Sequence, residues 1–409
     1  MGTTSFWALY GEAAKTSLGF FWKSGWAFVL GYAISGMIQA FVPKRQLTRH
    51  MGEANLRSVA LATGFGAISS SCSFAALAAA RSLLVKGAHF VATVAFMFAS
   101  TNLVMELGIL IWIFLGWQFL VAEVIGGLVL IAISSLLMRL IYPRELLQRA
   151  RETAGETAPQ EEDFDWRERI RSREGWQRVG NGFVQEWKMA WEDIFIGFIV
   201  AGFVAVFVPT SFWEALFLVD VEGIPGWLLA LENAVVAPFV AAATFIGSMG
   251  NIPLATVLNA NGVVFAGIMG FIYSDLMVPP LVRVNAKYYG WRTALYIAGI
   301  MFLSIVSTAL ILTGLFTLLS LIPEGHGRAV QEITRFGIDY TFWLNLVFAG
   351  LALFLVFLHR QLTRREDGGP GDHHDHGDEE SSIKRWVVGT FVVILMGGMV
   401  AWLVTGGTS

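Results

Sequence analysis

The chemistry in this 409-residue chain is concentrated in a few polar side chains set inside long apolar stretches. The one cysteine, Cys72, sits in the run Ser69-Ser70-Ser71-Cys72-Ser73. A thiol or thiolate there is a soft ligand beside hard hydroxyl acceptors, and a nearby half-helix N-terminus would favour the thiolate. The plainer reading is a small buried core cysteine. Two carboxylates occupy matching surroundings. Glu106 follows Ser100-Thr101-Asn102, and Asp275 follows Ser274 and precedes Pro279-Pro280. A charge at the centre of a bilayer costs about 2.5–3.5 kcal/mol on insertion scales, so an ionisable residue there is a functional candidate by default. In an apolar cavity each could exchange a proton near neutral pH. The competing reading is a hydrogen bond that pins helices. Glu123 lies close to Gly116-Trp117 and reads as interfacial. Ser100, Asn102, Thr244, Ser248 and Asn251 can line a cavity, although each alone more often satisfies a neighbouring carbonyl. Arg81 reads as a snorkelling side chain. Lastly, a tract centred on His373, His374, Asp375 and His376 has the composition of a weak metal site or of a solvated linker.

The elements that must position these groups are membrane helices. Apolar residues make up 55% of the chain and charged residues 14%, against roughly 45–50% and about 25% in a soluble domain. Mean hydropathy is +0.61. Net charge is −3, which leaves no basic field for nucleic acid. A single cysteine rules out an internal disulfide, a CxxC pair or a cysteine zinc site. Crossing a bilayer takes about 20 apolar residues, and eight stretches qualify: 18–42, 89–115, 118–141, 193–208, 262–282, 293–318, 342–358 and 386–404. The stretches 59–84 and 226–260 are apolar but interrupted. The first holds Gly64, Gly66 and the serine run; the second holds Pro238, Gly247-Ser248-Met249-Gly250-Asn251 and Pro253. Lys and Arg gather in cytoplasmic loops, here 44–57, 81–86, 144–188, 283–292 and 359–365. Reading 59–84 and 226–260 as re-entrant half-helix pairs keeps all these loops on one side. Ten full spans would not.

The two halves echo each other. Trp22-Lys23 and Ala40-Phe41-Val42-Pro43 answer Trp187-Lys188 and Val206-Phe207-Val208-Pro209. Further along, Gly87 matches Gly262, Ser100-Thr101 matches Ser274-Asp275, and Gly116-Trp117 matches Gly290-Trp291. The threading puts the last pair on opposite sides of the membrane, so the repeat is expected to be inverted. That design places the solute site of secondary transporters near the midplane at broken helices. The expected architecture is an all-α polytopic membrane protein, with about eight transmembrane helices and two re-entrant hairpins in an inverted internal repeat. The parts are a first repeat (1–142), a charged cytoplasmic linker (143–189), a second repeat (190–320) and an accessory helical pair with the His/Asp tract (321–409).

These residues resemble a known family. Ser71-Cys72-Ser73 with Leu77, Arg81, Lys86-Gly87, Phe96 and Ser100-Thr101-Asn102 is similar to the predicted-permease family that includes the organoarsenical efflux permeases. Gly250 through Ala255, together with Asp275, resembles that family's second half. The resemblance implies a plasma-membrane permease that exports a small thiol-reactive or metal-like species. Cys72 falls on the first cysteine of the family's Cys-Ser-Cys element; Phe74 replaces the second, and Ala78 replaces a usual proline. With one thiol, this element offers no multidentate thiolate trap.

The expected pathway residues are Ser71, Cys72, Ser73, Asn102, Glu106, Ser248, Asn251, Ser274 and Asp275, with proton coupling at Glu106 or Asp275. The expected partners are the lipid bilayer and a small solute or ion. The sequence also leaves room for a homo-oligomer and for a soluble partner at the cytoplasmic linker, while no nucleic acid and no cofactor are implied. No GxxxxGK[ST] element is present, which argues against built-in ATP hydrolysis. Two alternatives stand beside the metalloid exporter: a divalent-cation transporter on the same frame, and a membrane metal sensor without flux. A lipid-acting enzyme would need a nucleophile and a positioned base, and the only histidine within a clear span is His89, at its very edge.

Overall fold

A backbone in a bilayer must satisfy its own N–H and C=O groups, and helices do so within one segment. Among the described residues every regular element is helical. The computed structural model describes residues 5–41, 51–69 except 54, 73–141, 166–323 except 220 and 222, 328–366 and 378–405, with single positions between 143 and 153 and with side chains over 364–385 excepted. Ser71, Cys72 and the His373, His374, Asp375, His376 tract lie outside the described residues.

The first half runs α1 (Phe6–Phe41), α2 (Leu56–Ser69), α3 (Ser73–Val85), α4 (Phe90–Asn102), α5 (Met105–Phe114) and α6 (Trp117–Leu140). A short α7 (Trp166–Arg171) precedes the second half. That half runs α8 (Arg173–Phe207), α9 (Thr210–Phe217), α10 (Gly226–Thr244), α11 (Ser248–Ala260), α12 (Phe265–Ile272), a 3-10 turn (Asp275–Met277), α13 (Pro279–Tyr289) and α14 (Trp291–Leu318). After α15 (Val330–Ile333) come the two accessory helices α16 (Tyr340–Glu366) and α17 (Asp378–Val404). Setting α9 aside, each half is one long helix, a two-helix hairpin, a broken helix and a second long helix.

Matched joints carry matched backbone. Gly116 opens α6 at φ 107°, ψ 175°, and Gly290 opens α14 at φ 84°, ψ 153°. Only glycine occupies that region without strain. Gly87 and Gly262 also share positive φ, 98° and 85°, at the turn that leaves each hairpin. Packing between the halves is reciprocal too. Helix α1 lies on α8, α6 on α14, α3 on α13 and α11 on α5. Helices α1 and α8 run antiparallel: Ser17 meets Ile199 and Gly202, whereas Gly36 meets Val179 and Phe183. Helices α6 and α14 also run antiparallel, Gly126 meeting Leu312 and Tyr296 donating to the Ile141 carbonyl at 2.7 Å.

Six helices are long and apolar enough to cross a membrane (α6, α8, α10, α14, α16 and α17), and the α4–α5 pair, bent by 40°, makes a seventh. This differs from the sequence expectation in three places. The span expected at 18–42 is part of α1, at 36 residues the longest helix, which begins at Phe6 and is less apolar than the six. Residues 262–282 are not one continuous span: the helix stops at Ile272, and Pro279 with Pro280, which lack the N–H that an upstream helix would need, open a new one. Helix α10, expected to be half of a re-entrant pair, has 19 residues and enough length to cross on its own. Helices α2 and α3, of 14 and 13 residues, rise about 20 Å each, short of the roughly 30 Å hydrocarbon layer.

The accessory pair grips the first helix of each half. Gly180 of α8 lets the Leu355–His359 turn of α16 approach, and Gly11 of α1 does the same for Trp402 of α17. Asn345 of α16 brackets one turn of α1, donating to the Trp22 carbonyl at 2.8 Å and accepting from the Trp26 N–H at 3.0 Å. Lys23 pairs with Asp339 at 2.6 Å just before α16 begins.

Candidate functional site

Where α12 ends, the chain turns through Tyr273 and Ser274 before the Asp275–Met277 turn. The Ser274 hydroxyl satisfies the Gly270 carbonyl, which the broken helix leaves exposed. Asp275 follows it and is completely buried. Ser73, the first residue of α3, donates its hydroxyl to Asp275 Oδ2 at 3.3 Å. Thr101, one residue before the end of α4, flanks the same carboxyl. Asn102 donates to the Thr101 hydroxyl and to the Phe98 carbonyl, both at 3.1 Å. Asp275 Oδ1 and Asn102 Oδ1 have no hydrogen-bond partner among the described residues. Three interruptions therefore meet at one carboxylate: the start of α3 and the breaks of both broken helices. Among the expected pathway residues, Ser73, Asn102, Ser274 and Asp275 are brought together here.

Glu123, which the sequence reads as interfacial, belongs to this cluster. Its side chain in α6 is 2% exposed, and both carboxylate oxygens lack a hydrogen-bond partner among the described residues. Asp275 and Tyr273 are its interacting neighbours. The Tyr273 hydroxyl, itself buried, donates to the Ala122 carbonyl at 3.0 Å and to the Glu123 carbonyl at 3.2 Å. Gly126 makes room for it, since a Cβ at that position would overlap the hydroxyl. The sequence signal was the Gly126-Gly127 pair one turn beyond Glu123, which marks the face of α6 that admits a neighbour.

The remaining expected residues lie elsewhere. Glu106, in the first turn of α5, is buried against α1, where a Cβ on Gly31 would overlap its Cγ. Asn251 closes the break of the second hairpin. Its amide donates to the Ile246 carbonyl at 3.0 Å, and its oxygen accepts from Thr244 at 3.1 Å. Ser248, also buried, opens α11 at the same break. Helices α5 and α11 also pack together, as α3 does on α13. Near the hairpin's other end the Arg81 guanidinium stacks over the Tyr288 ring at 5.0 Å. Among the described residues no three His, Cys, Asp or Glu side chains gather where a metal could sit.

A family model described as "Predicted permease" matches residues 9–314, from α1 to the last turns of α14. The chain belongs to this predicted-permease family. A curated relative, "Putative permease Rv2963" of Mycobacterium tuberculosis, is 38% identical over 344 residues, covering 80% of this chain and 83% of the relative. No solved structure matches the chain. The permease is an integral multi-pass membrane protein, and its family implies the plasma membrane. The match takes in both halves and the Asp275 cluster and stops before the accessory helices.

Proposed function

We propose that this permease is a secondary transporter of inverted-repeat design that exports a small soft metal or metalloid species, with repeats at 1–142 and 190–320 related by a two-fold axis in the membrane plane. The observation that carries the reading is the contact of Ser73 with Asp275, which joins the hairpin of one half to the broken helix of the other. Support for the inversion comes from corresponding helices that run antiparallel and from a reciprocal pair of contacts. Gly36 of α1 meets the Phe183 backbone of α8, and Gly202 of α8 meets the Ser17 backbone of α1. Moving 166 residues along the chain turns Gly36 into Gly202 and Ser17 into Phe183. A parallel repeat would set corresponding helices parallel.

In this reading solute passes where Ser73, Asn102 and Asp275 meet, and the thiol of Cys72, next to Ser73 in sequence, selects a soft solute. The experiment is flux in reconstituted vesicles under an imposed pH gradient, with a trivalent organoarsenical and several divalent metals as solutes. Arsenical flux abolished by Cys72→Ser and by Asp275→Asn supports the reading. Metal flux that depends on Asp275 and ignores Cys72→Ser makes the solute a divalent cation instead. No flux of either class in the intact protein refutes transport of these solutes.

A further inference from the structure

We propose that Glu123 and Asp275 form a carboxyl pair that holds one exchangeable proton between them, and that Glu123 is thereby the second member of the coupling site. The proposal rests on the transporter reading only for the use to which the proton is put. Both side chains are buried, 2% and 0% exposed, and Glu123 has Asp275 as its charged neighbour. Three of their four carboxylate oxygens have no hydrogen-bond partner among the described residues. Tyr273, two residues before Asp275, hydrogen-bonds the Glu123 carbonyl, and two buried anions held in one such cluster repel each other and forfeit their hydration. One proton removes the repulsion and most of the desolvation. The charge that remains has the Ser73 hydroxyl to stabilise it.

Among the described residues the elements packed on the pair bring no counter-charge to it. Of the elements packed on Asp275, α3 brings Arg81, which stacks on Tyr288 about 12 Å of helix rise beyond Ser73. Helix α13 brings Arg283 and Lys287, both exposed, and α10 brings the acidic Glu232. Of the helices on α6, α14 brings Arg292, one turn from the Tyr296 that meets Ile141 at the far end of α6, and α5 brings Glu106, which faces α1. A bound metal fits poorly. No third His, Cys, Asp or Glu joins the pair among the described residues, and the nearby Ala122 and Glu123 carbonyls already accept from Tyr273. Tyr273 acts as a positioning residue. Its two hydrogen bonds fix the Glu123 turn of α6 against the break that carries Asp275. In the coupling step an O–H bond forms on the pair with a proton from water on one side, and the same bond breaks to release the proton on the other.

The test is infrared difference spectroscopy of the full chain in lipid as pH is varied, read at the carboxylic C=O stretch, alongside vesicle flux. The expected result is a protonated carboxyl band at neutral pH that is lost or shifted in Glu123→Gln and again in Asp275→Asn. Tyr273→Phe, which keeps both carboxyls, should move the titration midpoint. In vesicles Glu123→Gln should lose pH-driven accumulation by tenfold or more. A band indifferent to both carboxyl variants overturns the proposal, as does a band displaced by sodium at constant pH, which would make the pair a cation site. If the intact protein moves no solute, the transporter reading fails while the spectrum still decides where the proton sits. Should Glu123→Gln not fold, Asp275→Asn and Tyr273→Phe carry the same decision.

Discussion

The reciprocal glycine contacts of α1 and α8 make a quantitative prediction. A Cβ added at Gly36 would lie 2.7 Å from the Val179 carbonyl oxygen and 3.0 Å from the Phe183 nitrogen. A Cβ added at Gly202 would lie 2.6 Å from the Ser17 nitrogen and 2.8 Å from its Cα. Ordinary contact begins at 3.4 Å. The obstructing atoms are backbone and cannot rotate away, so either alanine must push the helices apart locally by about 0.7 Å. At Gly36 the separation also strains the neighbouring Ser35–Glu186 contact, already at 3.4 Å, and the Gln39–Glu186 hydrogen bond. Overpacking of this kind costs about 1–3 kcal/mol. The control is Gly314→Ala in α14, where nothing lies within 4 Å and the substitution should gain up to about 1 kcal/mol from helix propensity. Unfolding free energies in detergent would read all three variants, with Gly36→Ala and Gly202→Ala losing similar amounts and Gly314→Ala losing none. If Gly36→Ala and Gly314→Ala unfold alike, the close crossing and the two-fold argument built on it are wrong.

Gly116→Ala and Gly290→Ala each force a side chain into a backbone region reserved for glycine, and both should lose about 1–3 kcal/mol in the same unfolding assay, without any clash to blame at Gly290. Asn345→Leu removes both amide contacts to α1 and should cost about 1–2 kcal/mol while exposing the α15–α16 connection to protease. Hydrogen bonding to Lys23 holds the Asp339 carboxyl below the usual carboxylate range, so its contribution to stability is complete above about pH 4 and fades as pH falls through the lower folded value. Because Asp339 is 39% exposed, the effect should stay under about 1 kcal/mol, and Asp339→Asn should erase that acid-side component of a pH–stability profile. Thr101→Asp combined with Asp275→Thr exchanges two residues that face each other across the halves, so the pair should recover pH-driven flux that Asp275→Thr alone loses; a double variant no better than the single one would count against the two-fold relation.

Much of this frame was legible in the sequence because the features that carry it are local. Apolar runs mark the long helices, and the matches of Gly87 with Gly262 and of Gly116 with Gly290 survive because glycine alone fits those joints. The Ser73 and Asp275 candidates stood out as polar groups in apolar surroundings, and they prove to touch. What stayed hidden depends on partners far away in sequence. The first broken helix parts at Leu103-Val104, where neither glycine nor proline announces a break. Glu123 reads as interfacial when counted from Gly116, yet Tyr273, 150 residues later, closes over its turn. Glu106 has the same spacing from a polar triplet as any pathway residue, but a notch at Gly31 turns it toward α1. The grip of α16 and α17 on α1 is equally silent, because the small residues that admit them occur throughout the chain.

The proposed repeat accounts for the uneven arrangement of the carboxylates. In the proposed repeat Thr101 and Asp275 correspond, and Thr101 flanks the Asp275 carboxyl, so a carboxylate in both halves would set two charges on the proposed axis. The chain places the second carboxylate on α6 instead, where the corresponding residue of α14 is the buried Ile297. Ser73 supplies the hydroxyl from one hairpin, while Ser248 of the other begins α11, which packs on α5. The scaffold is thus shared between halves and the charge is not. A frame whose halves correspond can hold inward-facing and outward-facing arrangements at similar energies. A charge cluster tied to one side of that frame can then be exposed to a different proton concentration in each arrangement, which is what coupling to a pH gradient requires.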